Sequence, residues 1–282
     1  MNKPRHQNIL RGPGISTQLI EGRLEPRTHL PRMAAAGFVA LELSLLNGRQ
    51  HFDYTSPDAV KEFGIAAADL GLAIWSVHEQ DIPQCLGAGS ASEREAAADQ
   101  VRRCLEVAHQ LGAVAIPSHL LMNPMFDADA TEEAEMERRI VEQLHALAPE
   151  VRASGVRIAF ENTGRRSWAR PPALKRRMAT LPIDAYGFVL DTGHANLMAD
   201  LDELVDTFGA RLLTLHLHDN HGESDEHLPP MVGTVDWEAV RTHLDAIQYQ
   251  GCLLYEVVGG PDPDRTMNAT MNAHTRIFGQ PA

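Results

Sequence analysis

The sequence contains few cysteines, no long hydrophobic run and a deficit of positive charge. Its three cysteines, Cys85, Cys104 and Cys252, are odd in number and lack the CxxC spacing of a redox or zinc motif. They predict reduced, buried thiols in a cytoplasmic protein. No stretch approaches the roughly eighteen apolar residues of a membrane span, and the first residues lack the apolar segment of a signal peptide. We therefore expect neither a membrane span nor a secretory leader.

The charge balance narrows the class of partner. The chain has 25 basic and 38 acidic residues and a net charge of -13, which argues against a general polyanion-binding protein. A basic run in the second half is either the solvated start of a helix or a holder for a phosphate or carboxylate group. We expect a small-molecule partner rather than nucleic acid, and leave a homo-oligomer open. The run comprises Arg165, Arg166, Arg170, Lys175, Arg176 and Arg177.

Strand and helix patterns alternate eight times along the 282 residues, without a linker or a change in composition. The strands are apolar throughout, which is typical of parallel strands covered on both faces. No G-x-G-x-x-G or G-x-x-x-x-G-K loop follows them, which disfavours the alternative of a doubly wound open sheet. The sequence predicts one domain over residues 1–282, a single (β/α)8 TIM barrel. The predicted strands are 8–20, 38–45, 72–77, 113–116, 156–160, 186–190, 212–215 and 252–255.

Titratable residues stand at the ends of six consecutive predicted strands, the third to the eighth. In a barrel these ends surround one mouth, so we expect the side chains to meet there. Carboxylates gathered at one mouth repel one another unless a cation lies among them, which predicts a divalent-metal site. Any one of the carboxylates alone is more often a helix cap or an ion-pair partner than a metal ligand. They are His78, His119, Glu161, Asp191 with His194, His216 and Glu256, and Glu42 lies within the second strand.

The stretch from 216 to 237 is unusually rich in imidazole and carboxylate groups. Asp225 and His227 follow the seventh predicted strand within it. Such groups at a strand end suit a divalent metal. The simpler alternative is a polar surface loop that is histidine-rich by chance.

Four segments resemble the xylose-isomerase-like barrel superfamily: FENT at 160–163, LDTGHAN at 190–196, HLHDN at 216–220 with DEH at 225–227, and YE at 255–256. That group includes sugar and sugar-phosphate isomerases and epimerases, inosose and dehydroshikimate dehydratases, and endonuclease IV-type nucleases. The resemblance implies one divalent metal ion, with Mn²⁺ the first choice and Mg²⁺, Co²⁺ or Zn²⁺ as alternatives. Its implied ligands are Glu161, Asp191, His216 and Glu256.

The resemblance also implies an activity. It predicts a metal-dependent isomerase or epimerase acting on a sugar, a sugar phosphate or a related polyhydroxy carbonyl compound. Glu161 and Glu256 are the expected acid and base at the carbon next to the carbonyl, with a metal-stabilised enediolate between the two proton transfers. The expected substrate-binding residues are His78, His119, His194, Asp225 and His227.

Three alternatives stay open. A dehydratase would use the same metal and a similar base, so the residues do not separate it from an epimerase. A barrel that binds metal or sugar without catalysis lacks support, because both Glu161 and Glu256 are present. A zinc-dependent abasic-site nuclease of the endonuclease IV type needs a histidine directly before the proline of the fourth strand. Ile116 stands there, so His119 would have to substitute. The positions that match the nuclease are His78, Glu161, His194, Asp225 and His227.

Overall fold

Eight short parallel strands form the centre of the computed structural model, which describes residues 11–45, 48–79, 86–119, 130–163 and 171–279. The strands are hydrogen-bonded in the order β7-β6-β5-β4-β3-β2-β1-β8, so that each neighbours the next along the chain. Nearly every strand residue is buried, as expected for a sheet covered on both faces. The strands are β1 (Pro13–Ser16), β2 (Ala40–Ser44), β3 (Ala73–His78), β4 (Ala115–Ser118), β5 (Arg157–Glu161), β6 (Tyr186–Asp191), β7 (Leu212–His216) and β8 (Leu253–Tyr255).

The sheet closes on itself between β7 and β8. Just beyond β7, Leu217 forms a parallel bridge with Tyr255. The Leu217 amide donates to the Leu254 carbonyl at 2.8 Å, and the Glu256 amide donates to the Leu217 carbonyl at 3.2 Å. These contacts complete a single (β/α)8 TIM barrel, which confirms the predicted fold class.

Helices follow the strands and pack their apolar faces against the outside of the barrel. Inside it, the Trp75 indole Nε1 of β3 donates to Thr214 Oγ1 of β7 at 3.0 Å, and both side chains are buried. The interior is therefore filled by side chains, as in other barrels of this size. The helices are α1 (Pro26–Ala35), α2 (Gly48–His51), α3 (Pro57–Asp69), α4 (Ala91–Leu111), α5 (Ala130–Ser154), α6 (Pro171–Met178), α7 (Thr192–Met198), α8 (Leu201–Phe208), α9 (Trp237–Ala246) and α10 (Pro263–Phe278).

Several predictions can be compared with the described residues. Cys104 and Cys252 are buried free thiols, as predicted, whereas Cys85 lies outside the described residues. Of the basic run, Lys175 and Arg176 are exposed on α6. Arg165, Arg166 and Arg170, the side chain of Arg177, and residues 8–10 of the first predicted strand lie outside the described part. Among the described helices, none combines the length and the apolar character that a membrane crossing needs.

Candidate metal centre and active site

The register of the strands sets the polar side chains level with one another at the C-terminal ends. Asp191 on β6 pairs with His216 on β7, and Ser44 on β2 pairs with His78 on β3. The β2–β3 ladder shifts register directly before Glu42, and the β6–β7 ladder shifts before Val189. Such irregularities re-aim side chains and are frequent beside active sites.

His216 lies at the centre of the cluster and faces three carboxyl groups with one nitrogen. Its Nδ1 lies 2.9 Å from Glu161 Oε2, 3.3 Å from Glu256 Oε2 and 4.0 Å from Asp191 Oδ2. His216 and Asp191 are fully buried, and the two glutamates are at most 3% exposed. The four residues predicted as metal ligands are therefore brought together.

The orphaned atoms of this cluster fit a divalent cation. Neither His216 Nδ1 nor Glu161 Oε2 makes a hydrogen bond within the described part of the chain, although the two atoms are 2.9 Å apart. Atoms that bind one metal ion at about 2.0–2.2 Å lie about 3 Å from each other. Three carboxylates and one imidazole form an oxygen-rich ligand set, which suits Mn²⁺, Mg²⁺ or Co²⁺ and tolerates Zn²⁺.

The proton that His216 carries is also compatible with a cation in the cluster. His216 Nε2 lies 3.2 Å from Glu42 Oε2, and because a carboxylate only accepts, the nitrogen donates its N–H there. A neutral imidazole has no second proton. Nδ1 can therefore face three carboxyl groups only if the ring is an imidazolium, if one of the carboxyl groups is protonated, or if a cation lies between them.

Two further histidines approach Glu161 from the β3 and β4 ends. His78 Nε2 lies 3.6 Å and His119 Nε2 lies 3.4 Å from Glu161 Oε2. His78 also stacks on His216, with ring centroids 4.9 Å apart. The three residues His78, His119 and Glu161 could hold a metal ion, since their ligand atoms lie within 4.8 Å of one another.

The remaining predicted residues form the outer part of the cluster. His194 Nδ1 lies 3.0 Å from Glu161 Oε1, and its Nε2 lies 3.3 Å from Asp225 Oδ2. His227 donates from Nδ1 to the Glu256 carbonyl at 2.8 Å and places Nε2 3.1 Å from Asp225 Oδ2. All nine residues proposed from the sequence thus converge on one mouth, with Asp225 the most exposed of them.

The pKa values of the two predicted catalytic glutamates are shifted in opposite directions. Burial opposes ionisation of Glu161, but His119 and His216 outweigh it and lower its pKa well below the ordinary range. For Glu256, burial outweighs the attraction of His216 and His227 and raises its pKa to about 8. Burial also disfavours the charged form of His216, yet the surrounding carboxylates raise its pKa well above the ordinary value. Carboxyl groups whose pKa values are pushed apart are typical of acid–base pairs.

The structure adds His218, a residue to which the sequence analysis gave no role. The ring of His218 is fully buried, with Nε2 2.9 Å from Asp191 Oδ2. It stacks on His227 with ring centroids 4.0 Å apart. His218 therefore links Asp191 to the outer part of the cluster. The spacing His216-x-His218 could have indicated it, because alternate residues of an extended chain lie on the same face. The spacing does not show which side chains each histidine contacts.

The loop that follows β7 is fixed by Asp219. Its carboxylate accepts from the Asn220 and Val235 amides at 2.9 and 3.0 Å and from Trp237 Nε1 at 2.9 Å. These contacts hold the beginning of the histidine-rich stretch beside the site, whereas residues 221–225 of the same stretch are exposed. Asp219 serves the loop and makes no ion pair with the nine predicted residues.

Residues 30–275 match the family described as xylose isomerase-like TIM barrel. The chain belongs to this family. Among curated proteins, the uncharacterized protein y4fM of Sinorhizobium fredii is 26% identical over 170 residues, which are 58% of this chain and 53% of that protein. The chain thus spans about half the length of this curated relative.

Solved structures of xylose isomerase-like barrels share the fold across almost the whole chain. A D-tagatose 3-epimerase-like protein has a TM-score of 0.79 and 20% identity, with 94% of this chain and 97% of that chain covered. The D-psicose 3-epimerase of Clostridium cellulolyticum H10 with D-tagatose has a TM-score of 0.78 and 19% identity, covering 95% and 99%. The IolI protein with a bound zinc atom has a TM-score of 0.78 and 13% identity, covering 95% and 100%.

Proposed function

We propose that this chain is a divalent-metal-dependent isomerase or epimerase of a sugar, a sugar phosphate or a related polyhydroxy carbonyl compound. The observation that carries the proposal is the approach of three carboxyl groups to His216 Nδ1, at 2.9 to 4.0 Å. Epimerases of ketoses among the structural neighbours, and the zinc atom of the IolI protein, support it.

Glu161 and Glu256 are the proposed acid–base pair, and with Asp191 and His216 they would hold the metal. One glutamate takes the proton from the carbon next to the carbonyl, and the other returns a proton to give the isomer or epimer. A bound divalent cation would act as a Lewis acid that stabilises the negative charge developed on the substrate. Because both carboxyl groups lie within 3.3 Å of His216 Nδ1, they can reach the same small substrate.

The surrounding imidazoles are the proposed substrate contacts. His78, His119 and His194 lie within 3.6 Å of a Glu161 oxygen, so a sugar hydroxyl beside Glu161 meets several donors and acceptors. Asp225 and His227 extend these contacts towards solvent. A polyhydroxy compound matches such a dense set of polar groups, because hydroxyls donate and accept.

Deuterium exchange tests this function directly. The protein is incubated in D₂O with Mn²⁺ and, in turn, D-fructose, D-tagatose and D-psicose, and proton NMR follows the carbon next to the carbonyl. Metal-dependent loss of that proton signal, together with a new epimer or isomer, is the expected result. A product lighter by one water would favour the dehydratase instead. Absence of both with a wider panel of free and phosphorylated ketoses and inososes would refute a proton-abstracting function.

A nuclease of the endonuclease IV type is the second candidate, and His119 is the observation that favours it. Although His119 stands three residues beyond the position of the nuclease pattern, its Nε2 lies 3.4 Å from Glu161 Oε2. His194, Asp225 and His227 also lie together. Zinc counted per purified chain and incision of a duplex with one abasic site decide the matter. Three zinc ions with incision would select the nuclease, and one metal ion without incision would exclude it.

A further inference from the structure

Glu42 is a fully buried carboxylate that lies beside His216, with 3.2 Å between Glu42 Oε2 and His216 Nε2. It lies on β2, directly after the residue at which the β2–β3 register shifts. The shift changes the pairing from Leu41 opposite Ile74 to Glu42 opposite Ser76, so one residue of β3 is passed over. A bulge of this kind turns a side chain to a direction that the regular ladder would not give it.

One oxygen of Glu42 serves two partners. Oε2 accepts from Ser76 Oγ at 2.7 Å and from His216 Nε2 at 3.2 Å. The other oxygen, Oε1, makes no hydrogen bond within the described residues. Replacement of a complete buried ion pair by neutral side chains is often neutral or stabilising, so a buried carboxylate is weak evidence of a structural role. The arrangement therefore favours a role for the charge over a purely structural one.

We propose that Glu42 is a positioning residue that acts through His216. By accepting the Nε2–H, Glu42 selects the tautomer in which Nδ1 carries the lone pair, and Nδ1 is the nitrogen that faces Glu161, Asp191 and Glu256. The carboxylate also fixes the plane of the ring and increases its basicity. Ser76 in turn fixes the carboxylate. The inference rests on the proposed function, in which His216 is a metal ligand.

Partners of this type affect metal binding more than folding. A carboxylate that accepts from the second nitrogen of a metal-bound imidazole typically changes metal affinity about 10- to 100-fold when it is removed. Glu42→Gln keeps the volume and an acceptor oxygen but removes the charge, so it isolates the electrostatic part. Glu42→Ala removes the acceptor as well and is expected to weaken binding further.

The experiment compares Mn²⁺ binding by titration calorimetry in wild type, Glu42→Gln, Glu42→Ala and a matched control. The control is Glu79→Gln, which also neutralises a buried glutamate at a strand end but one that accepts from Gln100 Nε2 at 3.3 Å. We expect Kd to rise about 10- to 100-fold in Glu42→Gln, more in Glu42→Ala, and to stay within about twofold in Glu79→Gln. Thermal melts without metal are expected to show no loss of stability in Glu42→Gln.

The outcomes separate the inference from the function on which it rests. Wild type that binds no divalent metal overturns both. Wild type that binds Mn²⁺ alongside a Glu42→Gln variant of equal Kd overturns only the role of Glu42. A parallel loss of melting temperature and affinity makes Glu42 structural and also overturns it. If the variants do not fold, ¹⁵N NMR of histidine side chains in Zn²⁺-loaded wild type decides: a His216 ring that carries its proton on Nε2 supports the inference, and a ring that carries it on Nδ1 contradicts it.

Discussion

The ring of His218 lies directly against the backbone of Gly193. A Cβ on residue 193 would overlap that ring, so the chain needs glycine here for space and not for backbone conformation. The Thr192 hydroxyl accepts from the His218 amide at 3.1 Å, and His218 Nε2 lies 2.9 Å from Asp191 Oδ2. The segment Asp191-Thr192-Gly193 therefore packs against His218 and fixes its position.

Gly193→Ala is expected to displace His218 and, with it, Asp191. Overpacking of this kind costs about 1–3 kcal/mol of unfolding free energy, and the proposed metal ligand Asp191 loses its hydrogen-bond partner. Urea unfolding and Mn²⁺ titration measure the two effects. Gly89→Ala is the matched control, because a Cβ there meets nothing within 4 Å. A Gly193→Ala protein that equals the control in both measurements would contradict the role of this contact.

Glu161→Gln and Glu256→Gln are each expected to lower deuterium exchange at the substrate carbon by about 10²- to 10⁴-fold, because each removes one member of the acid–base pair. Circular dichroism should show that the barrel still forms. Glu226→Gln provides the control, since the Glu226 carboxylate lies outside the cluster and accepts from the His221 amide at 2.8 Å. Full exchange activity in either site variant would remove that glutamate from the mechanism.

Removal of the metal is expected to abolish exchange, and Mn²⁺ or Co²⁺ should restore it. Because the ligand atoms are brought together only in the folded chain, metal should also stabilise the fold, by about 2.7 kcal/mol at a concentration 100 times Kd. Chelation followed by dialysis, activity measurement and thermal melts with each metal test this. Undiminished activity in protein shown by elemental analysis to lack metal would end the proposal.

His274 is expected to make stability depend on pH away from the site. Burial lowers its pKa from 6.5 to about 4, and its Nδ1 forms a hydrogen bond with the Tyr255 hydroxyl at 2.9 Å. Between pH 6.5 and 4, His274 therefore binds a proton in the unfolded chain but not in the folded chain. The free energy of unfolding falls as the pH falls through this range. We expect a loss on the order of 2 kcal/mol from this residue.

Urea midpoints at pH 7, 5.5 and 4 for wild type and His274→Gln check this contribution. The variant keeps a hydrogen-bond partner for Tyr255 but does not titrate. As the pH is lowered, the urea midpoint of wild type should therefore fall more than that of the variant. Parallel pH profiles would contradict this, because they would show that His274 has the same pKa in the folded and the unfolded chain.

The sequence was sufficient for the fold and for the convergence of the site residues. Alternating strand and helix patterns predicted the barrel, because buried parallel strands need apolar residues on both faces and helices to cover them. Strand ends then predicted the site, since the barrel brings those ends to one mouth. The nine residues proposed from these ends and from the loop after the seventh strand do lie together. They include His119, whose position differs from that of the histidine in the nuclease pattern. Their separate roles stay predictions.

Other features depend on contacts that sequence spacing does not contain. The sequence pattern does not indicate helix α7, because this helix is short and begins directly after β6, where Asp191 caps it by accepting from the His194 amide at 2.7 Å. Glu42 was noted without a role, because its partner His216 is 174 residues away and a register shift decides where it points. His218 was given no role because its contacts come from two segments that are distant or separate in the sequence, 191–194 and 225–227.

The point at which the barrel closes has a consequence for the metal itself. His216 ends one of the two strands that meet there, Glu256 follows the other, and an isolated bridge at Leu217 pairs the two chain segments within the described residues. A cation bound by both side chains would tie the two strands together where the barrel closes. Removal of the metal should speed hydrogen exchange at the Leu217 and Glu256 amides before it does so elsewhere in the barrel. Loss of the cofactor would then be detected as separation of these two strands along one edge.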